Sequence, residues 1–475
     1  MHIAKVNGVP LAHSIAGDTS AASTMDVLKA WILECETNHA LCQPGLAARL
    51  PLRGLDVGLG GGDVHLYESE REVDKYICLS HCWGTFQPLT STAATISKWK
   101  ELIPWDELPL TFREAILVTR HLNIRYLWID SLCIIQGLFR RASPSHLSSL
   151  VPTKYENVYV RESLEHRNHH AELLTFGDPE GIQSVLEPLQ KRAWALQEYY
   201  LASRVVQFTS NELVWECNTC FRCECGNVPI ALQDSQATAP KHSLALLKIG
   251  LWSQEGNIRP KPYWSDAWAT LVTSYTQRHL TFSSDKLPAF SGLVRSLRSL
   301  IGGRYLAGIW ENEVLFGLSL SVSNSDVVQR PEVYRAPSWT WAAIDARVYW
   351  VTFENKTTDV AEFVDFHCDL ASADEFGAVK SAHIQLRGIV ITAELIYTPR
   401  YKLLTHYSLH IGTGKFECRP DDELRVGSTA GSSEREKVAL FPLQEDGEIQ
   451  QHTNRNPPQK CFFQGNHTHL SVDEL

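Results

Sequence analysis

No apolar run in this 475-residue chain approaches the ~20 residues that carry a helix across a bilayer. The opening stretch, MHIAKVNGVPLAHSIAG, also lacks the long apolar centre of a secretory signal peptide. Positive charge is scarce: 44 Lys and Arg stand against 54 Asp and Glu, a formal net charge of −10. Without a basic stripe, nucleic acid is not expected as a partner. A G-x4-G-K-[ST] phosphate loop is missing, and no internal repeat offers a sensor array. These absences lead to the expectation of a soluble, cytoplasmic protein with no membrane span.

What the chain does have is material for a core. An apolar fraction of 44% and 14 Trp indicate a globular protein of about two or three domains. Its 12 Cys are too diluted for a secreted disulfide scaffold. Cys78 and Cys133 sit in apolar text, where a buried thiol acts as a small hydrophobe. One cluster differs: Cys217, Cys220, Cys223 and Cys225, spaced C-x2-C-x2-C-x-C. Four thiolates can hold zinc, but such close spacing suits two separate pairs or a cluster. No second C-x2-C follows at the usual distance, so no metal is expected, and these four thiols are the candidates were one bound.

Residues 1–27 are polar and read as a flexible lead-in. Residues 28–73 hold a helix around Leu28 to Cys35 and the loop Gly58-Leu59-Gly60-Gly61-Gly62-Asp63. That loop has no following helix and no Lys-Ser/Thr pair, so it reads as a hairpin turn leading into the strand Asp63 to Tyr67. Residues 74–226 form an α/β domain and 227–418 a mixed α+β region. In the latter, helices are expected at Trp264 to Tyr275 and Leu287 to Leu300, an aromatic strand at Trp339 and Trp341, and further strand alternation over 380–400. Residues 419–475 are rich in Glu, Gln, Asn, Gly and Ser and read as a polar tail.

Residues 108–136, LPLTFREAILVTRHLNIRYLWIDSLCIIQ, are the most informative stretch. Thr111 and Glu114 have the spacing of a capping box. Phe112, Ala115, Ile116 and Leu122 share a helical face that Leu117 and Val118 widen, and Asn123 suits a left-handed close. Ile124 to Ile129 is nearly continuous apolar sequence, as in a strand covered on both faces of a parallel sheet. It ends at Asp130-Ser131, where open α/β sheets gather ligand-binding groups.

LPLTFREAI with RYLWIDSLCIIQ resembles the signature of the fungal heterokaryon-incompatibility (HET) domain. Tyr76 to Gly84 resembles that family's Y-x-x-L-S-x-x-W-G strand, and Arg192 to Glu198 its R-x-W-x-x-Q-E element. Ser203 to Phe208 and Trp215-Glu216-Cys217 continue the likeness. Asp285-Lys286-Leu287 with Ser291-Gly292, Tyr305 to Trp310, and Tyr334 to Trp341 resemble the segment that usually follows, so the likeness spans roughly 28–346. It implies a TIR-like doubly wound parallel sheet and a role in fungal non-self recognition and programmed cell death. The sequence departs from the pattern after Gln136, which runs directly into Gly137-Leu138-Phe139 where the family has a further helix and strand. A skipped stretch of coding sequence or a degenerate paralogue would both produce this. Losing an interior strand should leave unpaired edges and a poorly folded domain unless residues 150–185, with Tyr155 to Val160 as a substitute strand, fill the gap.

Three polar groups are expected to meet at the strand ends: Ser80-His81, Asp130-Ser131 and Glu198. Some TIR domains cleave NAD with a Glu four residues after a Trp, and Trp194 and Glu198 have that separation. The resemblance thus implies Glu198 as a catalytic carboxylate, with Ser80, His81, Asp130, Ser131 and Trp194 lining a site for NAD as substrate. No cofactor is required by this reading. Plainer assignments stay open, with Glu198 solvated or paired with Arg192 or Arg204, and Asp130 a helix cap. A Ser80-His81-Asp130 hydrolase is disfavoured because adjacent strand residues point to opposite faces. Cys82 or Cys133 as nucleophile is disfavoured by apolar surroundings. The alternative to an enzyme is an interaction module, and in either case the trigger comes from another protein, a sensor or allelic partner.

Overall fold

The computed structural model describes residues 21–42, 49–82, 89–136, 188–209, 212–226, 263–322, 331, 333–350, 357–359, 361–389, 391–398, 406–411, 414–418, 434–446 and 460–463. The chain divides into two units, Met1–Glu255 and Gly256–Leu475.

The first unit begins with helix α1 (Ala22–Asn38), which starts inside the expected lead-in and buries Thr24, Met25, Leu28, Trp31 and Cys35 along one stripe. Strands β1 (Arg53–Asp56) and β2 (His65–Glu68) pair antiparallel, so the glycine-rich loop is a hairpin turn. Gly58 takes φ 69° there, a left-handed conformation, and its amide donates to Asp56 Oδ1 at 3.0 Å.

Strands β3 (Tyr76–Leu79) and β5 (Tyr126–Ile129) pair in parallel, with Tyr76 opposite Tyr126 and Leu79 opposite Ile129. The other edge of β5 is taken by β1, antiparallel, giving the order β2-β1-β5-β3. Between them in sequence, β4 (Ser91–Thr92) pairs in parallel with β6 (Ile135–Gln136). The sheet is therefore mixed, where the apolar run of β5 led to the expectation of a parallel one. Such a run reports burial on both faces and carries no information about a neighbour's direction. Among the described residues β3 is an edge strand, and Cys78 on it is exposed, against the expectation of a buried thiol; Cys133 is buried as expected. Residues 137–187, including Tyr155 to Val160, lie outside the described residues.

Helix α2 (Ile96–Glu101) buries Trp99 in this unit's core. Helix α3 (Leu110–His121) starts one residue before Thr111, with Pro109 at the N-cap and no side-chain capping bond, so the Thr111–Glu114 box does not form. Pro109 presets the entry dihedral without offering an N–H, and Arg113 Nε donates to Leu108 O at 2.7 Å to hold the entry. The close is as expected. Asn123 has φ 55°, and the Ile124 amide reaches back to Thr119 O at 3.1 Å. Phe112 and Ile116 pack with Leu55, Leu127, Ile129 and Leu132, whereas Val118 and Leu122 pack against a second cluster built on Leu28, Trp31, Leu213 and Trp215. Leu117 is exposed, outside the face assigned to it.

A single helical turn α4 (Asp130–Cys133) follows β5, and after the undescribed stretch come helix α5 (Ala193–Leu201) and strands β7 (Arg204–Phe208), β8 (Leu213–Cys217) and β9 (Phe221–Cys223). The three strands form one antiparallel sheet whose centre, β8, is buried at every residue.

In the second unit, helices Tyr263–Thr276 and Pro288–Ile301 lie within a residue of their expected bounds. They meet in an aromatic core where Trp268, Tyr275, Phe290, Tyr305, Trp310 and Trp341 have ring centroids 4.7–6.1 Å apart. Tyr305–Leu306 and Ile309–Trp310 pair across a turn in which Gly308 has φ 129°. A Cβ on Gly308 would lie 2.6 Å from Thr340 Oγ1, and Trp341 Nε1 donates to Gly308 O at 2.6 Å. The expected strand at Trp339 and Trp341 is instead a short 3₁₀ helix, Trp341–Ala343, capped by Thr340 Oγ1 accepting from the Ala342 amide at 2.9 Å. Removing that acceptor in Thr340→Ala should cost about 1 kcal/mol in chemical unfolding, with Thr340→Ser retaining most of it; equal stability of all three proteins would contradict the cap's role.

Arg335 Nη1 lies 2.8 Å from Asp345 Oδ1, and the buried Lys286 Nζ reaches the same oxygen at 3.4 Å. Two of the sequence motifs thus converge on one carboxylate. In the expected tail, Glu434–Asp446 is a strand paired along Ile391–Thr398 in a six-stranded antiparallel sheet. Its apolar centre, Val438 to Leu443, is diluted by Glu- and Gly-rich flanks in any composition window. The alternation over 380–400 resolves into Val379–Arg387 and Ile391–Thr398.

Candidate functional site

Parallel pairing of β3 with β5 puts their C-terminal ends side by side, so Ser80-His81 emerges next to Asp130-Ser131. Helix α5 then brings Arg192, at its N-cap, and Glu198 to the same place. Ser80 Oγ donates to Glu198 Oε2 in a short hydrogen bond. His81 Nδ1 lies 3.9 Å from Asp130 Oδ1, and its ring meets Phe112 edge-on at 5.1 Å. Arg192 Nη1 donates to the carbonyl of His81. Asp130 Oδ1 accepts from the Ser131 amide at 2.7 Å; the N-cap of α4 is Ile129, with no side-chain capping bond.

Burial pushes the Glu198 carboxyl above the usual carboxylate range; the Ser80 hydrogen bond opposes this, the Asp130 charge adds to it and Arg192 opposes it. Burial also holds His81 below its ordinary value, against the pull of Asp130 and with the help of Arg192. The neutral imidazole is thus favoured over the imidazolium beside Asp130. Among the described residues, His81 Nε2 and Ser131 Oγ are buried with no hydrogen-bond partner. The cluster therefore offers a desolvated carboxyl, a neutral imidazole and a hydroxyl, with one guanidinium behind them.

Four of the six expected residues, Ser80, His81, Asp130 and Glu198, come together; Ser131 is joined to them through its amide on Asp130 Oδ1, and Trp194 differs. It is 37% exposed, while α5 buries Ala193, Ala195, Leu196 and Tyr200. The i, i+4 spacing puts the indole on the same stripe as Glu198, but the buried positions of α5 are those other four residues, and the indole is partly open to solvent. Ser80 and His81 have different carboxylate partners and no bond to each other, which leaves no Ser-His-Asp relay. Burial raises the thiols of Cys82 and Cys133, the latter to about 12, so neither is a ready thiolate. Arg204, considered as a partner for Glu198, instead donates to Cys35 Sγ at 3.2 Å and Cys42 O at 3.1 Å. The edge-on contact of Phe112 was not legible in the sequence, where it reads as an ordinary core position of α3.

The four clustered cysteines separate into two pairs. Cys217 Sγ lies 3.7 Å from Cys220 Sγ and faces α1, whereas Cys223 Sγ lies 3.2 Å from Cys225 Sγ beside Glu212.

Residues 76–151 match the family model described as heterokaryon incompatibility protein (HET). No curated protein and no solved structure matches the chain. No described helix is long and apolar enough to cross a membrane.

Proposed function

From the match of residues 76–151 to the heterokaryon incompatibility (HET) family model, we propose that the chain is an effector of fungal non-self recognition that triggers cell death by cleaving NAD. The observation that carries this reading is Glu198, a largely desolvated carboxyl held by Ser80 at the C-terminal ends of two parallel strands, where open α/β sheets bind ligands. A TIR-like arrangement of strand ends and α5 is part of the proposal.

In the proposed step the C1′–N bond to nicotinamide breaks and its electron pair goes to the pyridinium nitrogen, leaving neutral nicotinamide. Positive charge develops at C1′ and the ring oxygen, and the Glu198 carboxylate stabilises it, more strongly in a desolvated site than in water. Water then forms the new bond to C1′ and its proton passes to Glu198, giving ADP-ribose. No cofactor takes part, and the trigger is a second protein, a sensor or allelic partner.

The test is expression of the chain in cells with NAD, nicotinamide and viability followed together. NAD should fall, with nicotinamide and ADP-ribose appearing in equal amounts, before viability is lost. Death with NAD untouched would overturn the hydrolase and leave a non-enzymatic interaction module, a reading favoured by the exposed apolar residues Trp194 and Leu201 on α5.

A further inference from the structure

We propose that Cys35, His39, Cys42 and Cys217 bind a structural zinc ion that staples α1 to β8. Three of these residues come from one short segment. Cys35 lies in the last turns of α1, His39 caps its C-terminus, and Cys42 ends the 3₁₀ turn Ala40–Cys42, a C-x3-H-x2-C spacing. The fourth arrives from β8, 178 positions from His39, with Cys217 Sγ 3.4 Å from His39 Nδ1.

The four ligand atoms all lie within 4.8 Å of one another. Tetrahedral zinc with sulfur and nitrogen ligands separates neighbouring ligand atoms by about 3.5–3.8 Å, so the widest pair closes by about 1 Å, within reach of side-chain rotation, to complete the site. Cys35, His39, Cys42 and Cys217 are 0%, 8%, 2% and 0% exposed, which leaves no open position and marks a structural site.

The surroundings suit thiolates. The amides of Thr219 and Cys220 donate to Cys217 Sγ at 3.5 and 3.3 Å. Three thiolates around a divalent cation carry one excess negative charge, and the Arg204 guanidinium stands 3.2 Å from Cys35 Sγ to offset it. Arg204 Nη2 to Cys42 O and Asn218 Nδ2 to Leu41 O, both 3.1 Å, hold the two ligand segments together. A disulfide between any two of the three thiols would leave the remaining thiol and an imidazole buried against it with no ligand to satisfy them. Cys220 stands next to the site without belonging to the set of four, and the Cys223–Cys225–Glu212 group is a separate cluster.

The staple bears on the first unit as a whole. The sheet it anchors begins at Arg204, directly after α5 with Glu198. Because the ligands converge only on folding, metal affinity here is folding free energy.

The test uses the full chain produced with zinc in the medium. Elemental analysis should find about one zinc per chain, released by a mercurial thiol reagent. Refolding with Co2+ should give the intense visible bands of a tetrahedral ion together with thiolate-to-cobalt charge transfer. Cys42→Ser should reduce bound zinc to background, while Cys220→Ser and Cys223→Ser keep it. If Cys42→Ser is insoluble, the cobalt spectrum and the mercurial release from the unaltered chain decide. The proposal is overturned by a purified chain without zinc whose refolding with cobalt gives no tetrahedral spectrum. Disulfides among Cys35, Cys42 and Cys217, or zinc lost with Cys223→Ser and kept by Cys42→Ser, would overturn it equally.

Discussion

Glu198→Gln is expected to cut nicotinamide release from NAD by ~10²–10³-fold, the loss that follows removal of one preorganised charge from a developing transition state. The amide keeps the size of the carboxyl and can still accept from Ser80 Oγ, so folding should be spared. The sign of the stability change follows from the raised pKa of Glu198. A carboxyl that holds its proton more tightly when folded stabilises the fold at pH values below its unfolded pKa, ~4.3, and loses that contribution as pH rises through the folded value. Gln carries no such titration, so at pH values above the folded pKa, where that contribution is gone, the variant's unfolding temperature should equal or exceed the parent's. Release by the parent should rise with pH through the same titration, and Ser80→Ala should move that rise to higher pH by removing the bond that favours the carboxylate. Parent-like release by Glu198→Gln at equal protein level would end the hydrolase reading. Trp194→Ala should lower stability as well, because nearly two-thirds of this large side chain is removed from solvent, and so it does not separate chemistry from folding as Glu198→Gln does.

Asp345→Asn should have the largest effect on stability, about 3 kcal/mol in denaturant unfolding, because breaking a buried pair leaves uncompensated charge. Asp345 is itself partly exposed, which places the loss at the low end for such pairs, but Lys286 and Arg335 are each only 4% exposed at the side chain. Burial lowers the Lys286 pKa to about 8; Asp345 opposes this shift and Arg335 adds to it. With an unfolded value of ~10.4, the folded chain binds this proton less tightly, so the parent should gain stability as pH rises from about 8 toward ~10.4. Without the Asp345 charge, Lys286 should give up its proton at lower pH, and the gain in the variant should start earlier. Unfolding curves at pH 7 and 9 measure both effects, and a difference under ~0.5 kcal/mol at pH 7 would place the network outside the stability of this unit.

Local signals were read well where one residue type has one physical use. Asn123 in the left-handed region, the glycine turn between β1 and β2, and the two helices of the second unit all follow from short-range sterics and periodicity. Local sequence is ambiguous where two local devices compete, and an apolar run marks burial without marking direction. Pro109 opened α3 ahead of the Thr111–Glu114 box, and the apolar run of β5 did not announce an antiparallel neighbour. The strand Glu434–Asp446 was hidden because a charged flank masks a short apolar centre, and its pairing partner lies far upstream.

By itself, the sequence determined which residues could do chemistry: a Ser-His pair ending one apolar strand, an Asp-Ser pair ending another, and a Glu one turn after a Trp. The tertiary structure decided which of them meet. Parallel register set Ser80 and His81 beside Asp130, and the packing of α5 through Ala193, Leu196 and Tyr200 brought Glu198 to Ser80 while leaving Trp194 partly exposed. It also divided the cysteine cluster, drawing Cys217 to three ligands on α1 and the turn after it, 178 positions away in the case of His39. Spacing along the chain governs contacts within a turn or a strand. Meetings across such distances depend on which buried faces pack together, and that is a property of the whole core.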